Sequence, residues 1–297
     1  MQLKKNLQNI HVDNVPPVMV VDNLEDFSNL SLALNGIIHD FLIRHLPLRR
    51  IILVASILKQ CDVKIPSDKK LIDRILFEQK TDGGWVDCED TAWALSYLAG
   101  LKDVESAFAR GLIWLENERT KDYAWGFCKR DNACIPITAQ ISYFLPHSQS
   151  IIKSAYWLED QWLKDIKAPV SLNYKGAWYL LAYYKLHKSA NLSSELFDQT
   201  VNYLINEQRD NGPWGPWKGH PAHEECFITG ICMAALALSY LISNNKKIVP
   251  SLKKSIGWIK QIQMENGLFP THYIEEGSAW ILFGWSKSMM ILKDIDQ

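Results

Sequence analysis

Apolar and polar positions along the chain divide it into two alternating kinds of segment. Leu71 to Gln79, Thr200 to Gln208 and Ser255 to Gln263 gather their apolar residues on one side at helical spacing, as amphipathic helices do. Thr91 to Leu98, Ile137 to Phe144, Ala177 to Tyr184, Phe227 to Leu241 and Ser278 to Leu292 are apolar nearly all round, which predicts helices buried on every side. Asn23 to His45 and Pro47 to Gln60 supply one further helical pair. No stretch of useful length alternates at period two, so strands should be few. The pattern predicts an inner set of buried helices wrapped by an outer, half-wetted set.

The pairs also repeat. Arg74-Ile75 leads to Gln79, Gly83 and Trp85; Tyr203-Leu204 leads to Gln208, Gly212 and Trp214; Trp258-Ile259 leads to Gln263, Gly267 and Phe269. A copy starting at Trp114-Leu115 keeps the frame with Arg119 and Tyr123 and ends at Trp125, and one at Trp157-Leu158 keeps only its first half. Successive starts lie 40 to 55 residues apart, room for two helices and their turns. A Gln amide at a helix end can bond the orphan carbonyls there or the next turn, with the aromatic two residues past Gly stacking over it. These residues read as structural cement.

Composition narrows the function classes. The 297 residues are 47% apolar, enough for a sizeable core, and 32 basic against 33 acidic residues leave a formal charge of -1. No Lys/Arg block is long enough to track phosphates, so nucleic acid is not an expected partner. No signal-peptide core or membrane-length apolar run stands out, and the expected location is cytoplasmic. The six cysteines lack Cys-x-x-Cys spacing and fit reduced, mostly buried thiols. Twelve Trp are more large flat side chains than packing alone asks of such a domain.

Arg110-Gly111-x-x-Trp114-Leu115, Gln208-x-x-x-Gly212-x-Trp214 and Gln263-x-x-x-Gly267-x-Phe269 resemble the QW repeats of the squalene cyclase, oxidosqualene cyclase and protein prenyltransferase superfamily. The resemblance runs from about residue 70 to the C-terminus. It implies an all-α fold with a single (α/α)6 barrel over residues 23–297, after an N-terminal extension over 1–22. Asp87-Cys88-Glu89-Asp90-Thr91-Ala92 is similar to the Asp-x-Asp-Asp-Thr-Ala motif of class II terpene cyclases, with Glu at the third position. In that family the third acid protonates an alkene or epoxide, which makes Glu89 the implied general acid and Asp87 and Asp90 its supporting carboxylates. The class II enzymes behind the comparison build their chamber between two helical domains. Residues for one barrel imply either a second copy or partner closing the mouth, or a smaller substrate within one barrel.

A general acid must arrive protonated, and a Glu with a reference pKa of about 4.3 needs an upward shift of roughly three units to do so near neutrality. Neighbouring carboxylates and an apolar surround push upward, whereas the helix N-terminus pushes downward. Aromatic faces would then stabilise a carbocation. The candidates are Trp93, one turn beyond Glu89, with Trp125, Phe127, Trp178, Trp214, Trp217 and Trp280. Asp87 as an N-cap with Glu89 and Asp90 complementing the helix dipole is the purely structural alternative.

The favoured function is thus proton-initiated cyclisation of a small hydrophobic isoprenoid-like or related polyene substrate, without metal or cofactor. His220-Pro-Ala-His223-Glu224-Glu225-Cys226 offers a different reading, a zinc-dependent prenyltransferase-like enzyme using His223 and Cys226, or His220 and His223 tuning the acids across the rim. A non-catalytic barrel binding a hydrophobic ligand or a protein partner is the third. Homodimerisation and peripheral membrane contact stay open.

Overall fold

A computed structural model describes residues 25–220 and 226–296; the extension over 1–22 and His223, Glu224 and Glu225 lie outside them. Twelve helices make up the regular structure of the described residues, with no strand among them. The even-numbered helices are α2 (Arg49–Gln60), α4 (Cys88–Leu98), α6 (Ile135–Phe144), α8 (Asn173–Leu186), α10 (Cys226–Ser243) and α12 (Ile274–Asp296). Each packs on the next, and α12 returns to α2, so they close a ring. The odd-numbered helices are α1 (Glu25–Ile43), α3 (Asp68–Glu78), α5 (Glu105–Glu118), α7 (Gln149–Asp165), α9 (Ser194–Glu207) and α11 (Ile248–Ile262). They wrap the outside; α7, for example, lies on α6 and α8, and α11 on α10 and α12. The fold is an (α/α) barrel.

Burial follows the two sequence patterns. Every residue from Thr91 to Leu98 is buried, whereas α3 buries only Leu71 and Ile75. Helix α10 is long and apolar enough to cross a membrane by composition, yet 72% of it is buried inside the barrel. Its contact with α12 is backbone against backbone. A Cβ on Gly230 would meet the Trp280 carbonyl at 2.2 Å, and one on Gly284 would meet the Gly230 carbonyl at 2.2 Å, so only glycine allows this approach.

The turns between outer and inner helices share one hydrogen-bond scheme. Gln79, Gln208 and Gln263 are C-cap residues that leave the helix in extended conformation. Their amides donate to the carbonyls of Gly83, Gly212 and Gly267 at 2.8, 2.7 and 2.9 Å. Gln79 and Gln208 also reach Ala107 O and Ser251 O on the next outer helix. The three glycines take φ of +103°, +114° and +82°, a left-handed geometry that strains other residues; Tyr123 adopts it at +61° in the Arg119 copy. The aromatics have a further bond that sequence did not predict. Trp85, Trp125 and Trp214 send their indole N–H back to the carbonyls of Ile75, Leu115 and Leu204, each ten residues earlier, at 2.8 to 2.9 Å.

A second bond joins each turn to the inner helix that follows. The backbone N–H groups of Trp85, Trp125, Trp214 and Phe269 donate to the hydroxyls of Thr91, Thr138, Thr229 and Ser278 at 2.9 to 3.0 Å. Thr91 therefore belongs to the scaffold, since three other copies use a hydroxyl identically, Thr138 after a proline and Thr229 after a phenylalanine at the position Glu89 holds. That hydroxyl also fixes how deep four of the six inner helices, α4, α6, α10 and α12, sit in the ring.

Candidate active site

Because inner helices alternate in direction with outer ones, all six start at the same end of the barrel. The loops there are stitched together: Cys88 N–H donates to Phe127 O at 2.8 Å, and Asn173 N–H and Nδ2 donate to Pro216 O and Gly215 O at 2.8 and 2.9 Å. A cavity of about 80 Å³ lies at this end. Its upper wall is Glu89, Pro136, Tyr174, Phe227 and Glu276, all in the first turns of inner helices. Its lower wall is Leu53, Trp93, Gln140, Trp178 and Trp280. The walls are related by one helical turn, because 89/93, 136/140, 174/178 and 276/280 are pairs four residues apart on one helix face.

The hydroxyl hydrogen bonds explain the alignment. Glu89, Pro136, Phe227 and Glu276 each stand two residues before Thr91, Thr138, Thr229 and Ser278, so fixing the hydroxyl places its neighbour at the mouth. Arg49 occupies the same level on α2, four residues before Leu53.

The three carboxylates of the acidic motif take different positions around that arginine. Asp87 is the N-cap of α4, its side chain accepting the Asp90 N–H at 2.9 Å, so the capping role foreseen for it is real. Arg49 Nη2 lies 3.2 Å from Asp87 and 3.5 Å from Glu89, and Arg49 Nε lies 3.6 Å from Asp90. Asp90, only 6% exposed, faces away from the cavity into a cleft lined by Leu48, Ile52, Glu78 and Trp85. Glu89 is the one of the three that lines the cavity, with 29% of its side chain exposed.

Burial is the main force on both inner acids. It raises Glu89 from 4.5 to about 7, with Asp87 adding to the rise and Arg49 opposing it. Asp90 rises to about 6 for the same reasons in the same order. Glu276, across α2 from Glu89, is also raised, by burial first and by Glu275 second. Glu275 itself is turned away and paired with Arg50. The mouth is therefore a place where a carboxyl group can hold a proton near neutral pH.

Of the aromatic candidates, the fold brings Trp93, Trp178 and Trp280 into the cavity wall. Trp178 and Trp280 meet edge to face at 5.5 Å, and Trp93 lies 5.9 Å from Trp280. Phe144 and Phe283 pack beneath them, with Trp93 and Phe144 at 4.7 Å. Trp125 and Trp214 go elsewhere: their indoles are committed to helix carbonyls in the turns, and neither lines the cavity. Phe127 is 45% exposed on a rim loop, and Trp217 packs against His220 at 4.2 Å on another. Tyr174, Phe227, Gln140, Arg49 and Glu276 are site residues that motif reading missed. Aligning the copies on the turn hydroxyl finds Glu276, two residues before Ser278; α2 has no such hydroxyl in a turn motif to reveal Arg49.

No cluster of metal-ligating side chains occurs among the described residues. Cys226, one of the two residues of the zinc reading, is buried with its Sγ 3.7 Å from Pro270 O.

Solved structures with this architecture include a type II terpene cyclase, MstE, from Scytonema. A variant of it in complex with geranylgeranyl dihydroxybenzoate superimposes with a TM-score of 0.68 at 12% identity, covering 90% of this chain and 99% of that one. The ent-copalyl diphosphate synthase of Streptomyces platensis matches with a TM-score of 0.58 at 15% identity over 82% of this chain and 50% of its own. A family 105 glycoside hydrolase from C. acetobutylicum ATCC 824 matches with a TM-score of 0.60 at 12% identity over 88% of this chain and 99% of its own. No protein-family model matches the sequence, and neither does any curated protein. At these identities the likeness is one of fold, a fold that carries unrelated chemistries.

Proposed function

We propose that the protein is a class II terpene cyclase-like enzyme that starts the cyclisation of an isoprenoid or related polyene by protonating it from Glu89. The observation that carries this reading is the Glu89 carboxyl group, raised to about 7, at the mouth of a cavity walled by Trp93, Trp178 and Trp280. At pH 7 about half of the Glu89 population holds its proton, which is where a general acid operates best. Transfer of that proton to a carbon–carbon double bond creates a carbocation, the next double bond attacks it, and loss of a C–H proton ends the sequence. Each indole face near the cation contributes about 0.5 to 2 kcal/mol of stabilisation. Asp87 and Asp90 act through Arg49 and through the helix start, holding Glu89 in place without facing the cavity. Exposed apolar side chains on loops at this end, Val86, Phe127, Val170 and Tyr273, give an apolar substrate a route in from a lipid surface or a partner.

The test is incubation in deuterated water with geranyl, farnesyl and geranylgeranyl diphosphates and with squalene. The expected result is a cyclic isomer carrying one deuterium that disappears in Glu89→Gln while the fold persists. Folded protein that converts none of the four would favour a ligand-binding barrel, and activity proportional to added zinc would favour the metal-dependent reading.

A further inference from the structure

The size of the cavity limits how far a cyclisation can run inside it. Its two walls are one helical turn apart, which at a rise of 1.5 Å per residue makes it about 6 Å deep. Its volume is about 80 Å³. That is roughly half the volume of an apolar cavity that takes up benzene. Below the indoles the space is filled by two buried rings. Phe144 lies 4.7 Å from Trp93 and 6.1 Å from Phe283, and Phe283 lies 5.8 Å from Trp280. One six-membered ring, reaching up into the mouth, is the most that such a space holds.

The mouth carries two carboxyl groups, and protonation of an olefin uses one. Glu89 and Glu276 both line the cavity, each one turn above a tryptophan, Trp93 and Trp280, whose rings are 5.9 Å apart. Glu275 is taken up by Arg50, which leaves its neighbour Glu276 as the acid that α12 contributes to the cavity. Burial raises Glu276 first and Glu275 second, while Arg49 and Arg50 hold the rise back. The charge of Glu276 in turn favours a proton on Glu89. Of two carboxyls that feel each other, one holds the proton while the other stays charged, which puts an acid and a base at one entrance.

We propose that the cavity admits only the far end of a polyene chain, that the reaction stops after one ring, and that Glu276 stops it by accepting a C–H proton. Glu89 protonates the terminal double bond, and the next double bond attacks the tertiary cation so formed. The new C–C bond closes a six-membered ring, with the cation on the ring carbon opposite the protonated one. A C–H bond beside that cation gives its proton to the Glu276 carboxylate, and its electron pair becomes the new double bond. The change is an isomerisation, and both carboxyls exchange protons with water at the mouth before the next turnover. A second ring would carry the cation away from both carboxyls and into the aromatic floor. The rest of the chain stays outside, where Val86, Phe127, Val170 and Tyr273 expose apolar surface. The product is a chain with a single ring at its far end, whatever its length or head group.

The ring count and the role of Glu276 rest on the cyclase reading, whereas the partial entry of the chain does not, so the test has two arms. In the first, the full-length protein is given farnesyl and geranylgeranyl diphosphates in deuterated water, and the products are hydrogenated and weighed. We expect hydrogen uptake one double bond short of the starting chain at both lengths. In Glu276→Gln the ring should still close and still carry one deuterium. The isomer should give way by about a hundredfold to the monocyclic alcohol formed when water meets the cation, and Glu276→Asp should recover part of it. Products of two or more rings, or an unchanged ratio of isomer to alcohol in Glu276→Gln, overturn the proposal. The wild-type ring count decides it even where a variant fails to fold. In the second arm, geranylgeraniol whose oxygen is joined to a glycol chain should bind within about twofold of geranylgeraniol itself, and a loss of about tenfold or more would show that the whole chain enters. Retained binding of that conjugate without any cyclic product would sink the cyclase reading and the role of Glu276 with it, whereas polycyclic products would sink this inference alone.

Discussion

Replacing Glu89 with Gln should make the protein more stable at pH 8 while leaving its stability at pH 4.5 almost unchanged. The rise from 4.5 to about 7 corresponds to about 3 kcal/mol at 1.36 kcal/mol per pH unit. With 29% of the side chain still meeting water, solvent screening trims this to ~2 kcal/mol. The folded state binds the proton more tightly than the unfolded chain does. The stabilisation from that proton is therefore complete below about pH 4.5 and is lost as pH rises through about 7. Gln keeps the shape and removes the titration. Asp90 and Glu276 titrate in both proteins and largely cancel from the comparison. Urea unfolding of the two proteins across this range, at constant ionic strength, should give stability curves that separate by ~2 kcal/mol in favour of Gln at the alkaline end. Curves that stay parallel, or a wild type that gains on the variant as pH rises, would show that Glu89 serves as the charged partner of Arg49, and the argument for a held proton would collapse.

Further predictions follow from the mouth and the turns. Arg49→Met removes the cation that opposes the rise of Glu89 and Asp90, so both should titrate at higher pH; the alkaline limb of the turnover profile should move up with them. Thr138→Val strands the buried Trp125 backbone N–H and should cost about 1–3 kcal/mol in denaturant unfolding, and a loss near zero would show that the hydroxyl bonds are incidental. Gly212→Ala forces a side chain into a +114° backbone with its Cβ 2.5 Å from Lys254 O, and should cost about 2 kcal/mol or more.

The barrel was legible in the sequence because its construction is local. A Gln that caps, a Gly that turns left-handed and an aromatic that reaches back ten residues must stand at fixed spacing, and inner helices must be apolar on all sides. The acid was legible because three carboxylates before a buried helix are conspicuous. What escaped was whatever depends on packing between helices. Arg49 reaches the acids because α2 packs directly on α4, a contact between residues about forty positions apart in the chain. Glu276 was hidden because its turn is longer: nine residues separate Phe269 from Ser278, against six between Trp85 and Thr91. Counting tryptophans overestimated the cavity, since Trp125 and Trp214 satisfy their indoles in the turns, a bond without its own sequence mark.

The hydroxyl that sets the depth of an inner helix has a consequence for how this mouth can change. It separates the residue that holds the helix from the residue that faces the ligand, two positions away. Glu89, Pro136, Phe227 and Glu276 thus form four independently addressable places, already occupied by two acids, a proline and an aromatic. Exchanging one alters what the barrel greets at its entrance while the turns stay bonded, so new substrate preference is within reach of single substitutions that leave folding intact.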